Sequence, residues 1–260
     1  MSAALSPIDR AKYAAARRAV GEVESGMRLG LGTGSTAAWA VRLLGERIRT
    51  EGLKLTGVPT SSRTAELARS LGIPLVTLDE AGWLDLTIDG ADEFDARLDL
   101  IKGGGGALLH EKIVATASDR VIVIADAAKE VASLGAFALP VEVIPFGWQT
   151  TRALVEETLT GLDVMGRTVN LRMEGEAPFR SDEGNYILDL GLRRIGNPRQ
   201  LSLVLNQIPG VVENGLFIDI CDRVIVGHPD GRVAIRDAET GTQTEDWMPI
   251  ADAENLFRDG

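Results

Sequence analysis

Lys102-Gly103-Gly104-Gly105-Gly106-Ala107-Leu108-Leu109-His110-Glu111-Lys112-Ile113-Val114-Ala115 reads as a loop opening into a helix, with the apolar pair Leu100-Ile101 just before it as the end of a strand. Four consecutive glycines leave amide N–H groups unscreened by side chains, so the loop can wrap an anion or a polarised oxygen. Glu111 falls in the first turns of the helix, beside the place such an oxyanion would occupy. A carboxylate there suits a base that removes a proton next to a carbonyl. It also suits the simpler task of complementing the helix dipole. The stretch alone leaves both readings open.

Working outward, strands and helices alternate over 27–134. Ser6-Pro7-Ile8-Asp9 has the cap, proline and acid of a helix start, and the alanine-rich run to about Glu24 continues it. Lys12 lies on that helix. Met27 to Leu31 is a short strand leading into Gly32-Thr33-Gly34-Ser35-Thr36-Ala37 and a helix to about Arg49. Glycines and small hydroxyl residues at a helix start offer phosphate oxygens what they need: amide donors, hydroxyl donors and a favourable dipole end. The loop also fits the loose dinucleotide pattern G-x-G-x-x-A. The second strand, Leu53 to Val58, runs into Pro59-Thr60-Ser61-Ser62, where no acid waits for ribose hydroxyls. A cradle for a small phosphorylated molecule is therefore favoured over a dinucleotide site.

A helix over 61–71, a strand over 74–78 and a strand over 84–88 follow, the last ending in Asp89-Gly90-Ala91-Asp92-Glu93. Open parallel sheets bind ligands at the carboxyl ends of their strands, which is where these acids fall. Asp-Gly is also ordinary turn chemistry, and no neighbouring histidine or further acid cluster completes a metal site. After the glycine loop and a helix over 107–118 comes the apolar strand Val121-Ile122-Val123-Ile124, with Asp126 and Lys129 just beyond it. This order predicts an α/β fold built on a doubly wound, mostly parallel, Rossmann-like sheet. From Leu139-Pro140 the order becomes strand, helix, strand, strand, helix, strand up to 217, the split pattern of a second, smaller ferredoxin-like α+β domain. A hairpin around Pro229-Asp230-Gly231 is expected to return to the first sheet. The expected division is 1–138 with 218–236, then 139–217, then an acidic and mobile tail over 237–260.

Composition bounds the function. The 260 residues are 45% hydrophobic and 25% charged, an ordinary globular balance. The net charge of −11 argues against nucleic acid as a partner, since phosphate backbones are held by basic surfaces. Residues 237–260 hold seven acids and one arginine, so the tail carries more than half of that charge. No apolar run is long enough for a membrane span, and no signal-like start is visible. Cys221 is the single cysteine, which excludes an internal disulfide and points to a reducing cytoplasm. Only His110 and His228 are present, in no order that suits a Ser-His-Asp or Cys-His mechanism.

Taken together, Gly32-Thr33-Gly34-Ser35-Thr36, Gly57-Val58-Pro59-Thr60-Ser61, Asp89-Gly90-Ala91-Asp92-Glu93, Lys102 to Ala107 with Glu111-Lys112, Ala125-Asp126 with Lys129, and Leu139-Pro140-Val141-Glu142-Val143 resemble the type A ribose-5-phosphate isomerase family. These words span most of the chain in the family's order. Ala128 stands where the family often has Ser. The resemblance implies interconversion of D-ribose 5-phosphate and D-ribulose 5-phosphate in the non-oxidative pentose phosphate branch, without metal or organic cofactor, by a homodimer or homotetramer. It implies Glu111 as the base of an enediolate route, with Asp89 and Lys102 as further catalytic residues. The implied substrate contacts are Thr33, Gly34, Ser35, Thr36, Asp89, Gly90, Ala91, Asp92, Lys102, Gly103, Gly104, Gly105, Lys129 and Lys12. Two other classes compete. A sugar-phosphate sensor would keep the fold without catalysis, but it usually carries a basic DNA-binding segment. A coenzyme A transferase-like enzyme would want a glutamate nucleophile and an acyl-CoA substrate.

Overall fold

A computed structural model describes residues 5–250. The chain divides into two compact units. The larger takes the described residues up to Gly90, Ile113–Lys129 and those from Ile220 on; the smaller takes Ala91–Lys112 and Glu130–Asp219.

The chain begins in the larger unit with α1 (Pro7–Val20), capped by the Ser6 hydroxyl, which accepts the Asp9 N–H at 3.1 Å. Its small buried face, Ala11, Ala14, Ala15, Ala16 and Ala19, lets other backbone come close. Then come β1 (Arg28–Leu31), α2 (Ala37–Glu51), β2 (Thr56–Pro59), α3 (Ser62–Ser70), the single turn α4 (Leu78–Ala81) and β3 (Leu86–Gly90). The strand expected over 74–78 does not form. Leu75 makes one isolated bridge to Gly57, and Thr77 and Glu80 instead close a capping box that starts α4.

The chain then passes into the smaller unit with β4 (Glu93–Phe94) and β5 (Leu100–Ile101), and α5 (Leu108–Thr116) carries it back to the larger unit's β6 (Val121–Asp126). A second passage holds β7 (Leu139–Val143), α6 (Trp148–Leu159), β8 (Thr168–Leu171), β9 (Met173–Glu174), β10 (Ala177–Pro178), β11 (Tyr186–Gly191), α7 (Pro198–Leu205), β12 (Val211–Asn214) and β13 (Leu216–Phe217). The chain ends in the larger unit with β14 (Arg223–Gly227), β15 (Arg232–Asp237) and β16 (Gln243–Trp247).

The larger unit is a seven-stranded sheet in the order β16-β15-β14-β6-β3-β1-β2, parallel from β14 to β2. The hairpin β14–β15 does return to this sheet, and the stretch after 237 adds to it rather than hanging free. Gln243–Trp247 pairs antiparallel with β15, which the sequence conceals because every residue of β16 is exposed. Residues 251–260 of the expected acidic tail lie outside the described residues. The smaller unit is a four-stranded sheet, β12-β7-β11-β8, antiparallel throughout, with α6 and α7 in the two crossovers. This is the ferredoxin-like order. It also holds a three-stranded sheet, β13-β5-β4. Leu100-Ile101 therefore pairs with Phe217 and Leu216, not with the parallel sheet. Ile101 and Leu216 belong to the smaller unit's core, which is why 91–112 falls there rather than with the parallel strands.

An ion-pair network ties the end of α1 to the starts of β6 and β14. Glu22 meets Arg18, Arg120 and Arg223 at 2.7–3.0 Å. Burial opposes its charge, yet the three guanidinium groups hold its carboxyl below the usual range. Arg223 also donates to Asp237 at 2.7 Å; that hydrogen bond, with one from the Thr240 N–H, brings the Asp237 pKa down to about 2. A depressed carboxylate contributes stability above its unfolded pKa, near 3.8, and loses it as pH falls through about 2. Asp237→Asn is therefore expected to flatten the fall of the urea midpoint between these two pH values and leave its slope above pH 5 unchanged. Parallel curves for both proteins across that window would remove Asp237 from the acid transition.

Candidate active site

In the larger unit the end of β1 turns into Gly32–Thr36 beside the end of β3. Asp89 is buried there, and its Oδ1 accepts the Thr33 N–H at 3.0 Å and the Gly90 N–H at 2.7 Å. Gly32 is required by this approach: a Cβ at that position would lie 2.1 Å from the same oxygen. The Thr33 side chain is turned inward, its hydroxyl bonded to Thr60 at 2.8 Å, Ser61 at 2.7 Å and Thr64 at 3.2 Å. Gly34, at φ 106°, and Ser35 are exposed at the approach to α2. Lys12 donates from Nζ to the Ser35 hydroxyl at 2.8 Å, so an ammonium, a hydroxyl and a helix N-terminus share one rim. Lys129 closes the 3-10 turn Ala127–Lys129 that follows β6, the sheet neighbour of β3.

In the smaller unit Lys102 and Glu111 are both buried, and Lys102 Nζ stands 3.3 Å from Glu111 Oε1. The Lys102 ammonium lies 5.4 Å from the centre of the Phe217 ring, and Lys112 lies 4.9 Å from the same ring. Lys112 donates to Glu213 Oε1 at 2.9 Å and to the Asn214 carbonyl at 2.6 Å. Burial nonetheless pushes the Lys112 pKa below the usual lysine range. Asp92 Oδ2 accepts the Gly104 N–H at 2.7 Å, and the Gly106 N–H returns to the Gly103 carbonyl at 3.0 Å. Two amides of the glycine loop are thus engaged within the loop's own surroundings, where the sequence suggested open donors.

The residues singled out from the sequence fall into two sets. Lys12, Thr33, Gly34, Ser35, Thr36, Asp89, Gly90 and Lys129 belong to the larger unit; Ala91, Asp92, Lys102, Gly103, Gly104, Gly105 and Glu111 belong to the smaller. Sequence reasoning missed the hydroxyls of Thr60, Ser61 and Thr64 that hold Thr33. The run Pro59-Thr60-Ser61-Ser62 was a visible signal for the first two. It also missed Arg172, which donates to the Gly103 and Gly104 carbonyls and has no pattern of its own in the sequence. Among the described residues no group of three His, Cys, Asp or Glu side chains is arranged to hold a metal ion, and no helix is long and apolar enough to cross a membrane.

Residues 56–231 match the family model of ribose 5-phosphate isomerase A (phosphoriboisomerase A). A ribose-5-phosphate isomerase A of Ruegeria sp. (strain TM1040) is 70% identical over 259 residues, 100% of this chain and 99% of that protein. One of Cereibacter sphaeroides (strain ATCC 17029 / ATH 2.4.9) is 71% identical with the same coverage. Among solved structures, a D-ribose-5-phosphate isomerase in complex with phospho-erythronic acid aligns with a TM-score of 0.83 at 40% identity, covering 89% of this chain and 100% of its own. Ribose 5-phosphate isomerase from Plasmodium falciparum aligns at 0.81 and 33% identity, covering 93% and 99%. Full-length identity to proteins of that one name gives no support to a non-catalytic regulatory module. The chain belongs to the ribose 5-phosphate isomerase A family, the aldose-ketose isomerases that interconvert D-ribose 5-phosphate and D-ribulose 5-phosphate.

Proposed function

We propose that this isomerisation runs through an enediolate with Glu111 as the general base. Glu111 takes the proton from carbon 2 of the aldose and returns it to carbon 1, while a hydroxyl proton passes from oxygen 2 to oxygen 1. The observation that carries the reading is the buried contact of Lys102 Nζ with Glu111 Oε1 at 3.3 Å. A proton next to a carbonyl is removable only when the charge growing on oxygen is stabilised, and an ammonium held beside the base can do this in a site with little water. Asp89 is the carrier assigned to hydroxyl protons, including those of ring opening. Lys12, Thr33, Gly34, Ser35, Thr36, Gly90, Ala91, Asp92, Gly103, Gly104, Gly105 and Lys129 are the remaining substrate contacts. Thr33 acts through its backbone carbonyl, since its hydroxyl is turned to Thr60, Ser61 and Thr64 and its N–H to Asp89. The exposed rim of Lys12 and Ser35 suits the phosphate.

We further propose a homo-oligomer acting in the cytoplasm on the non-oxidative pentose phosphate branch; a single, buried cysteine, Cys221, fits a reducing compartment. Run for many turnovers in D2O with excess chelator, the enzyme is expected to go on converting ribose 5-phosphate and to place deuterium on carbon 1 of the ketose, read by NMR. A ketose pool free of deuterium would replace the base with an internal hydride shift.

A further inference from the structure

The glycine loop has no side chains to fix it, yet a single arginine reaches two of its carbonyls. Arg172 lies between β8 and β9, and its own backbone is held on both sides: its N–H donates to the Ile187 carbonyl at 2.8 Å and its carbonyl accepts the Phe179 N–H at 3.0 Å. The guanidinium is oriented by Asp189 of β11, with Nε to Oδ2 at 2.9 Å and Nη2 to Oδ1 at 2.5 Å. That bidentate fork fixes the plane of the group. The remaining nitrogen, Nη1, then donates to the Gly103 carbonyl at 3.0 Å and the Gly104 carbonyl at 3.2 Å. Phe179 secures the far end of the loop: its ring lies 5.7 Å from the guanidinium carbon, and a Cβ on Gly106 would fall 2.4 Å from its Cζ.

The peptide planes turn this grip into a direction. Among the described residues no peptide bond is cis, so each carbonyl points opposite to the N–H of the next residue. The Gly103 carbonyl faces Arg172 and the Gly104 N–H accordingly goes the other way, to Asp92 Oδ2 at 2.7 Å. The Gly104 carbonyl also faces Arg172, so the Gly105 N–H is directed away from the guanidinium. We infer that Arg172, set by Asp189, is a positioning residue of the isomerase: it holds the 103–105 backbone so that the Gly105 N–H is preorganised as a donor to the reacting sugar's oxygen. The inference rests on the reading above that this backbone contacts the substrate. Its physical basis is that glycine backbone loses the most conformational freedom on ordering, and a donor aimed beforehand need not be reorganised as charge develops. A lysine cannot replace the arginine, because one ammonium cannot both fork onto Asp189 and span two carbonyls.

Two measurements on Arg172→Gln test this. Hydrogen exchange is expected to speed up in a peptide covering 103–107 and to stay unchanged in the parallel sheet. The kcat for ribose 5-phosphate is expected to fall about 10- to 100-fold, less than the roughly 10²–10³ that deleting an oxyanion donor costs because the Gly105 N–H stays but loses its fixed direction, with KM moved by less than about threefold. Arg172→Lys should lose kcat comparably, and methylguanidinium added to Arg172→Ala should restore part of it. Should Arg172→Gln fail to fold, Asp189→Asn is expected to give the same two changes at smaller size. Unchanged exchange at 103–107 overturns the clamp whatever the kinetics. Faster exchange with unaltered kcat overturns the proposal through the loop's role in binding, a failure that would leave Glu111 as the base untouched.

Discussion

Glu111→Gln is expected to lower kcat by about 10²- to 10⁴-fold, ~3–5 kcal/mol of barrier, with KM for ribose 5-phosphate changed by only a few fold. The amide has nearly the shape of the carboxylate and fills the same buried site at the start of α5, so packing against its neighbours is retained. What it lacks is basicity, which enters only when the carbon-bound proton is in flight. Loss in kcat without loss in KM is the mark of an interaction made in the transition state. Glu111→Asp should fall between the two, since the carboxylate survives but withdraws from the carbon by one methylene. The measurement is initial-rate ketose formation at saturating substrate, on protein whose unfolding midpoint matches the parent. Turnover within threefold of the parent would assign the base to another group.

The parts of this architecture legible in the sequence are those where one short segment contains its own reasons. Gly32 to Thr36 announces a strand-loop-helix turn because Gly34 takes φ 106° and α2 starts directly after it. Asp89-Gly90 at a strand end is likewise local, although the structure alone shows its buried carboxylate organising the Gly32–Thr36 loop. The ferredoxin-like order emerges from element succession alone, since each β-α-β step there is a separate run with its own breaks. What was hidden depends on partners distant in the chain. Leu100-Ile101 looks like one more parallel strand, but besides the neighbouring Glu93-Phe94 it pairs with Leu216-Phe217, more than a hundred residues on. Arg172 is one of many arginines, and only the fold reveals that Asp189 aims it at the glycine loop. β16 has neither an apolar face nor alternation, because an edge strand exposed on both sides has no need of either. The acids that made 237–247 look unfolded are partly spent on pairing: Asp237 with Arg223, Glu245 with Arg232 and Asp246 with Arg18.

Lys102→Met is expected to produce two losses that can be separated. The first is catalytic, about 10²- to 10³-fold in kcat, from removing the cation that meets charge growing on the sugar oxygen. The second is thermodynamic. Lys102 and Glu111 are each about 4% exposed, so methionine leaves a buried carboxylate without its ammonium, and breaking such a pair from one side costs about 3–5 kcal/mol. Methionine keeps the apolar stem that lies beside Phe217, and the Lys102 backbone stays bonded to the Gly215 carbonyl at 2.9 Å. Lost packing therefore contributes little to either effect. Adding Glu111→Gln to Lys102→Met removes the stranded charge, and the urea-unfolding free energy should recover by at least half of its loss while activity falls further. That opposite movement is the diagnostic, because a merely structural pair would recover both quantities or neither. A Lys102→Met protein as stable as the parent would show that water or another cation already compensates Glu111, and a full return of stability in the double variant with no kinetic defect in the single one would strip Lys102 of its role in the chemistry.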